Sequence, residues 1–439
     1  MQTGIVPRRS QSERGQTILI VAISLLSLLA IAALAIDVVT LYVARSEIQR
    51  AADAAALSAA KGIADSGVTT LPAGDPDLAD AKTLAQNLAT TQIQAILTAS
   101  PPLNLVAGAQ PALVGTPTID WTATNNPRIT VTLQSTNLPT FFARIWGRRS
   151  VTVNASATAE AYNPANMATF TPIAPRSVKP WLVANAGIPP NPGGLHFVDT
   201  TTGAVITDVI GKTFDLTSDC NGLGTPCVLS HDPRAHRFTP RVDYVPAQVA
   251  ANVANVCPSS CSGSPYEDSI ACADANAYAY LNCGGGSSNT TWDNSVNPGG
   301  ATGASATGAE CLIHATAAGA GQGQDTLNDS TLWPSRPMTI TAGRPPLFGS
   351  LVSTSNSIVT IPIIDATPPF PASGLPLVVV GFLQAFINQV QDGSGGTTPG
   401  DINITVLNIA GCSSSHNAAT PVVGSVGASP VPVRLITPP

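Results

Sequence analysis

The sequence predicts an α+β protein. A long N-terminal transmembrane helix leads into a small unit of one helix and an antiparallel sheet. A mostly β, loop-rich, disulfide-bonded region follows. Three observations predict this. Residues 18–36 read ILIVAISLLSLLAIAALAI and carry no charge. The helical pattern continues beyond them with no Gly or Pro before Gly62. All eight cysteines lie beyond residue 219, among Thr- and Val-rich alternating segments and Gly/Pro-rich loops.

The apolar run has the length of a membrane span, because a helix crossing about 30 Å of hydrocarbon needs about 20 apolar residues. Ile18, Leu25, Leu29 and Ile36 mark its extent, and Ser24 and Ser27 are its only polar residues. A serine is tolerated there because its hydroxyl bonds back to the helix backbone. Residues 1–16 form a basic segment, with Arg8, Arg9 and Arg14 against the single acid Glu13. Cations stay on the cytoplasmic side, so the N-terminus is expected in the cytoplasm and the rest of the chain outside it. A cleaved signal peptide is the competing reading, with Ala33-Leu34-Ala35 as a small-x-small site. The run is longer than the 7–15 residues or so of a signal h-region, which favours an uncleaved anchor. The whole helix is expected over 17–64, about 70 Å long.

Along that helix Leu34, Leu41, Ile48 and Ala55 recur every seventh residue, and Ala44, Ala51 and Ser58 form a second row. Leu41, Ala44, Ile48, Ala51 and Ala55 make a narrow seam of partly small residues that a second surface can approach closely. Either the chain's own globular part or another helix, from a copy or a partner, fits that seam.

Residues 65–163 read as an α+β domain. Gly67 to Gly74 is a linker. Asp75-Pro76-Asp77 gives a helix start, with Asp as N-cap and Pro in the first turn. Apolar residues from Leu78 to Leu97 keep helical spacing, and Pro101-Pro102 stop it. Residues 119–124, 128–135 and 150–162 alternate and are rich in Thr, Val and Ile, so they read as antiparallel strands. Phe141 to Trp146 is a short helix or turn between the last two, expected to bury Phe141, Phe142 and Ile145. A Pro-rich linker is expected over 164–180. Residues 181–439 form the extracytoplasmic β-rich, Cys-containing domain, with strands at 204–210, 357–364, 377–390 and 402–409. The Gly/Ser/Ala-rich stretch 284–309 reads as a surface loop, and the tail after Cys412 as extended.

Cys220, Cys227, Cys257, Cys261, Cys272, Cys283, Cys311 and Cys412 are even in number and fall on the outer side of the span. Disulfides follow for an oxidising compartment. About a hundred pairings are open; proximity favours 220–227, 257–261 and 272–283, which leaves 311–412. Zinc is the rival, through Cys257, Cys261, His231 and His236, but no paired C-x2-C supports it.

Composition and motifs exclude several functions. Net charge is −6, with 20 Lys and Arg against 26 Asp and Glu, so no surplus of cations exists to neutralise phosphates. Nucleic acid is therefore not an expected partner. Charged residues are only 10% of the chain, against about 25% in a typical soluble domain. G-x-S-x-G, H-E-x-x-H and Walker-type loops are absent. No enzyme activity, cofactor, metal or small-molecule substrate is expected.

Two stretches carry a resemblance. The first is Gly15-Gln16, the apolar run, Asp37, Tyr42, Arg45 and Ile48-Gln49-Arg50-Ala51-Ala52-Asp53-Ala54-Ala55-Ala56-Leu57. The second is Leu138-Pro139-Thr140-Phe141-Phe142-Ala143-Arg144-Ile145-Trp146-Gly147 with the strand Ser150 to Ala159. Together they resemble the N-terminal domain of the TadE/TadG-like Flp (tight-adherence) pilus-assembly family, in its longer TadG-type form. The resemblance implies a pilin-like domain and a single-pass inner-membrane protein, with its C-terminal region periplasmic or extracellular. It implies a structural component of the pilus machine, in contact with other pilus-assembly proteins or copies of itself. One departure is Ile20 at the fifth position after Gly15, where a prepilin peptidase uses Glu; this argues against processing. No D-x-S-x-S metal motif of a von Willebrand A domain occurs. The alternative function is a membrane-tethered or secreted surface adhesin that binds through the Cys-rich C-terminal domain.

Overall fold

A computed structural model describes residues 12–99, 110–163, 173–175, 178–185, 196–199, 204–218, 241–246, 264–272, 286–287, 298–314, 323–328, 338–365, 377–391, 400–411, 422–423 and 431–436. Helix α1 (Ser12–Asp65) is continuous over 54 residues, as a stretch without Pro and with Gly only near its two ends, at Gly15 and Gly62, allows. It stops before Gly67, whose φ of 78° is a left-handed conformation open to glycine at little cost. A 3-10 turn, Val68–Thr70, and helix α2 (Leu78–Ala99) follow. Asp75 accepts the N–H of Asp77 at 3.0 Å in the turn that leads into the helix, while the carbonyl of Asp77, not that of the expected N-cap Asp75, takes the first i→i+4 bond, from Ala81.

In chain order the strands are β1 (Ala112–Leu113), β2 (Thr118–Asp120), β3 (Arg128–Pro139), β4 (Ser150–Ala161), β5 (Ile173–Ala174), β6 (Trp181–Ala184), β7 (Thr213–Thr217), β8 (Arg241–Pro246), β9 (Gly286–Ser287), β10 (Thr326–Asn328), β11 (Thr339–Thr341), β12 (Leu351–Val352), β13 (Ile358–Ile364), β14 (Leu377–Val390), β15 (Ile402–Gly411), β16 (Val422–Val423) and β17 (Val433–Ile436). Two further helices are α3 (Pro265–Ala271) and α4 (Pro298–Leu312). The described chain thus has an N-terminal long apolar helix and is otherwise mostly β.

The chain divides into two compact units that are not contiguous in sequence: Met1–Ala52, Ser100–Gly115 and Val131–Ser156 form one, and Asp53–Ala99, Thr116–Thr130 and Ala157–Pro439 the other. In the first unit β1 pairs antiparallel with β3 through Leu113 and Leu133. β3 alternates exposed and buried residues as its sequence does, with Val131 and Leu133 buried.

The second unit is organised by a ring of strands in the order β13-β6-β8-β7-β15-β14, which the direct pairing of β13 with β14 closes. Two neighbours in the ring are parallel, β13 with β6 and β7 with β8. Closure removes both sheet edges. Every residue of β13 and β15 is buried, on both faces. One set of side chains, including Val359, Ile361, Leu383, Ile404 and Trp181, gathers with Tyr266 and Ile270 of α3 and Ala309 of α4 into a single buried cluster. β17 pairs with the end of β4, with Arg434 opposite Glu160.

Two sequence readings are corrected. Residues 204–210 do not form a strand. Val205 makes one isolated bridge to Val198, and a 3-10 turn over Thr207–Val209 then buries Val209 and Ile210. The apolar residues there reach the core by turning, which a period-2 reading does not foresee. The stretch 284–309 is not a loop throughout, because α4 begins at Pro298. Its small residues let it lie close to α3: a Cβ at Gly308 would come within 2.9 Å of the Ile270 Cβ. Packing here overrides the poor helix propensity of Gly and Ser.

Candidate membrane anchor and its junction

Helix α1 changes character along its length. Its apolar section is exposed: Ile18, Leu25, Leu29 and Ile36 have relative accessibilities of 71, 59, 62 and 49%. Gln16–Asp65 is the one described helix long and apolar enough to cross a membrane, and none of its most apolar window is buried. Ser24 and Ser27 donate to the carbonyls of Val21 and Ile23 at 2.9 and 2.6 Å, within the helix, as expected for serine in an apolar span.

The first buried residue along this helix is Asp37, which is 3% accessible; on the other face Val38, Val39, Tyr42 and Val43 stay exposed. Its carboxylate accepts three consecutive backbone N–H groups, from Phe141 (2.8 Å), Phe142 (3.0 Å) and Ala143 (2.7 Å). These groups open the 3-10 turn Ala143–Trp146, which closes on Gly147 at φ 85°. A carboxylate facing a fan of amides is satisfied without a cationic partner. One turn further along α1, Leu41 and Ala44 pack with Leu138 and Val153. Gln49 donates to the carbonyl of Ser156 at 3.0 Å. Both segments that carry the family resemblance therefore meet in the first unit, through Asp37. Residue patterns alone did not expose this contact; an acid placed directly after an apolar run was its only local trace.

The seam residues lie against the chain itself. Ala44, Ile48, Ala51 and Ala55 are at most 9% accessible, and Leu41 is half-buried. The seam is thus occupied, and a second helix along it would have to displace this packing.

In the second unit the end of α1 is fixed to the strand ring by buried polar groups. Asn408 of β15 donates to the carbonyl of Ala64 (2.5 Å) and to the Thr69 hydroxyl (2.9 Å), while its own oxygen takes the Thr70 hydroxyl and the Ile409 N–H. Asp65 pairs with Lys61 and accepts from Gln384 of β14 at 2.6 Å. Gly62 lets α2 approach, because a Cβ there would stand 3.3 Å from side-chain carbons of Leu88 and Gln92. Part of the expected linker 164–180 is ordered into sheet. β5 pairs with β16, and the Lys179 N–H donates to Thr360 of β13. The Lys179 ammonium is buried and donates to the carbonyl of Ile270, at the C-terminal end of α3, at 2.6 Å.

Of the cysteines, Cys272 and Cys311 are described, and neither is a free thiol. Cys220, Cys227, Cys257, Cys261, Cys283 and Cys412 lie outside the described residues, as do His231, His236 and residues 1–11 of the basic segment. Among the described residues no group of three His, Cys, Asp or Glu side chains comes together. Ser305 joins the hydroxyls of Tyr244 and Tyr266 at 2.7 and 2.9 Å. Burial pushes the Tyr244 phenol far above its ordinary range, so this cluster joins α4 to β8 and α3 as neutral hydroxyls.

No curated protein and no solved structure matches the chain. Residues 15–62, which hold the exposed apolar run, Asp37 and the seam, match the family model of the TadE/G-like proteins of Flp pilus assembly (Tad).

Proposed function

We propose that the chain is a membrane-anchored, non-enzymatic structural component of Flp/Tad-type pilus assembly. The observation that carries this reading is that the family-matched segment coincides with α1, whose most apolar window the fold leaves unburied. In this reading residues 18–36 span the inner membrane once. Arg8, Arg9 and Arg14 hold the N-terminus in the cytoplasm, and the strand ring lies in the periplasm or beyond. Disulfides among the eight cysteines fit that oxidising compartment. The seam, filled by the chain's own residues, sets the helix on its globular part. Contacts with other pilus components or further copies then use the remaining exposed surface.

The test is complementation in the source cell. Deleting the gene abolishes surface pili, and the full chain restores them. A chain carrying Leu25→Lys and Leu29→Lys does not restore them and leaves the membrane fraction, since each charge at the helix centre costs about 3 kcal/mol of insertion. Normal piliation in the deletion strain overturns the pilus role. Unchanged membrane fractionation of the double variant overturns the anchor.

A further inference from the structure

The turn that Asp37 holds has a surface of its own. Phe141 and Ile145, large apolar residues that the sequence reading expects to be buried, are instead 54 and 73% accessible. Arg144, Arg148 and Arg149 are exposed beside them. Residues 138–159 contain no acid, so the three positive charges of the turn stand against the single buried carboxylate of Asp37. The hydrogen bonds from Phe141, Phe142 and Ala143 fix this backbone against the helix residue that directly follows the apolar run. With residues 18–36 filling about 28 Å of hydrocarbon, Asp37 stands at headgroup depth, and so does the turn.

We infer that Phe141–Arg149 is a membrane-surface anchor. Phe141 and Ile145 enter the boundary between headgroups and acyl chains, and Arg144, Arg148 and Arg149 bind the phosphates of anionic lipids. Continuity with the apolar helix and the one-sided charge both favour a lipid surface. Apolar side chains beside long cations fit a bilayer boundary, where the arginine stems lie along the acyl region and the guanidinium groups reach the phosphates. The arginines lie about a hundred residues downstream of the span, outside the window in which cations set topology, so they do not oppose the orientation given by the N-terminal arginines. The role of Asp37 is positional: it holds the turn at the depth where it meets lipid, so that a second contact fixes the helix in rotation as well as in depth. This inference rests on the reading that 18–36 cross the bilayer.

The experiment uses the full chain in vesicles of phosphatidylcholine, with or without phosphatidylglycerol, and lipids carrying a quencher near the headgroup. A fluorescent amino acid replaces Ile145 in one sample and Leu26 in another. The expected result is quenching at both positions, with that at Ile145 stronger in the anionic vesicles. Replacing Arg144, Arg148 and Arg149 by Gln together removes this preference, at about fivefold in the bound-to-free ratio for each arginine. Quenching at Leu26 without quenching at Ile145 leaves the span standing and overturns the surface anchor. Quenching at Ile145 that ignores both phosphatidylglycerol and the arginines overturns the headgroup contact. Absence of quenching at Leu26 overturns the span and this inference with it.

Discussion

The carboxylate of Asp37 takes the backbone N–H of Ala143 at 2.7 Å, across 106 residues of sequence. With the N–H groups of Phe141 and Phe142 it makes one acid the fastening between an exposed apolar helix and a turn from the neighbouring sheet. Asp37→Ala leaves three amides without their acceptor. Hydrogen bonds to a charged group contribute about 1.5–3 kcal/mol net. Amide exchange at 141–143, measured on the full chain in detergent, is expected to rise by one to two orders of magnitude, with Ile404 in β15 unaffected. Unchanged exchange at these three amides would remove Asp37 from this role.

Asn408 is expected to matter more to global stability than any exposed polar residue. It is fully buried, and its amide serves Ala64, Thr69, Thr70 and Ile409 at once. Asn408→Ala strands several of these groups, at about 1–3 kcal/mol for each one left unpaired and buried. Denaturant unfolding of the detergent-solubilised chain, followed by near-UV circular dichroism, is expected to show a midpoint well below that of the native chain. A midpoint within error of the native value counts against the network.

Two glycines of α4 make opposite predictions. Gly308→Val drives new atoms into Ile270 and the Glu267 carbonyl, which lie 2.9 and 3.1 Å from the added Cβ. Overpacking of this kind costs about 1–3 kcal/mol. Gly303 has nothing within 4 Å of an added Cβ, so Gly303→Ala is expected to stabilise by up to about 1 kcal/mol through helix propensity. Thermal unfolding of the two variants separates the cases. A melting temperature for Gly308→Val at or above the native one would mean that α3 and α4 are not in the contact described.

Glu160 is buried, yet its two partners are more than half exposed: Arg434 at 2.5 Å and Arg128 at 3.4 Å. Either arginine alone is expected to be dispensable at about 1 kcal/mol or less, because solvent screens it and the other remains. Removing both strands a buried carboxylate, which costs about 3 kcal/mol or more. The signature is non-additivity in a double-mutant cycle of Arg128→Ala and Arg434→Ala. Strict additivity would show that the two arginines do not share the charge.

What the sequence alone determined is what local composition and period can carry. An uncharged run of membrane length, the continuity of α1 up to Gly62, a helix following Asp75-Pro76-Asp77 and the β13, β14 and β15 strands are each written in a short window of residues. Tertiary structure decided the rest. Asp37 and Ala143, or Ala64 and Asn408, are partners only because the fold brings distant backbone together; neither residue's neighbours specify the other. The ring closes because β13 pairs with both β14 and β6, and pairing partners are chosen by whole-sheet register rather than by alternation within one strand. α4 is helical because α3 and the buried cluster give its small residues a surface to pack on, which composition alone reads as a loop. The seam shows the same division: its seven-residue spacing was legible, but only the packing of Leu138 and Val153 against Leu41 and Ala44 showed that the chain fills it with its own side chains.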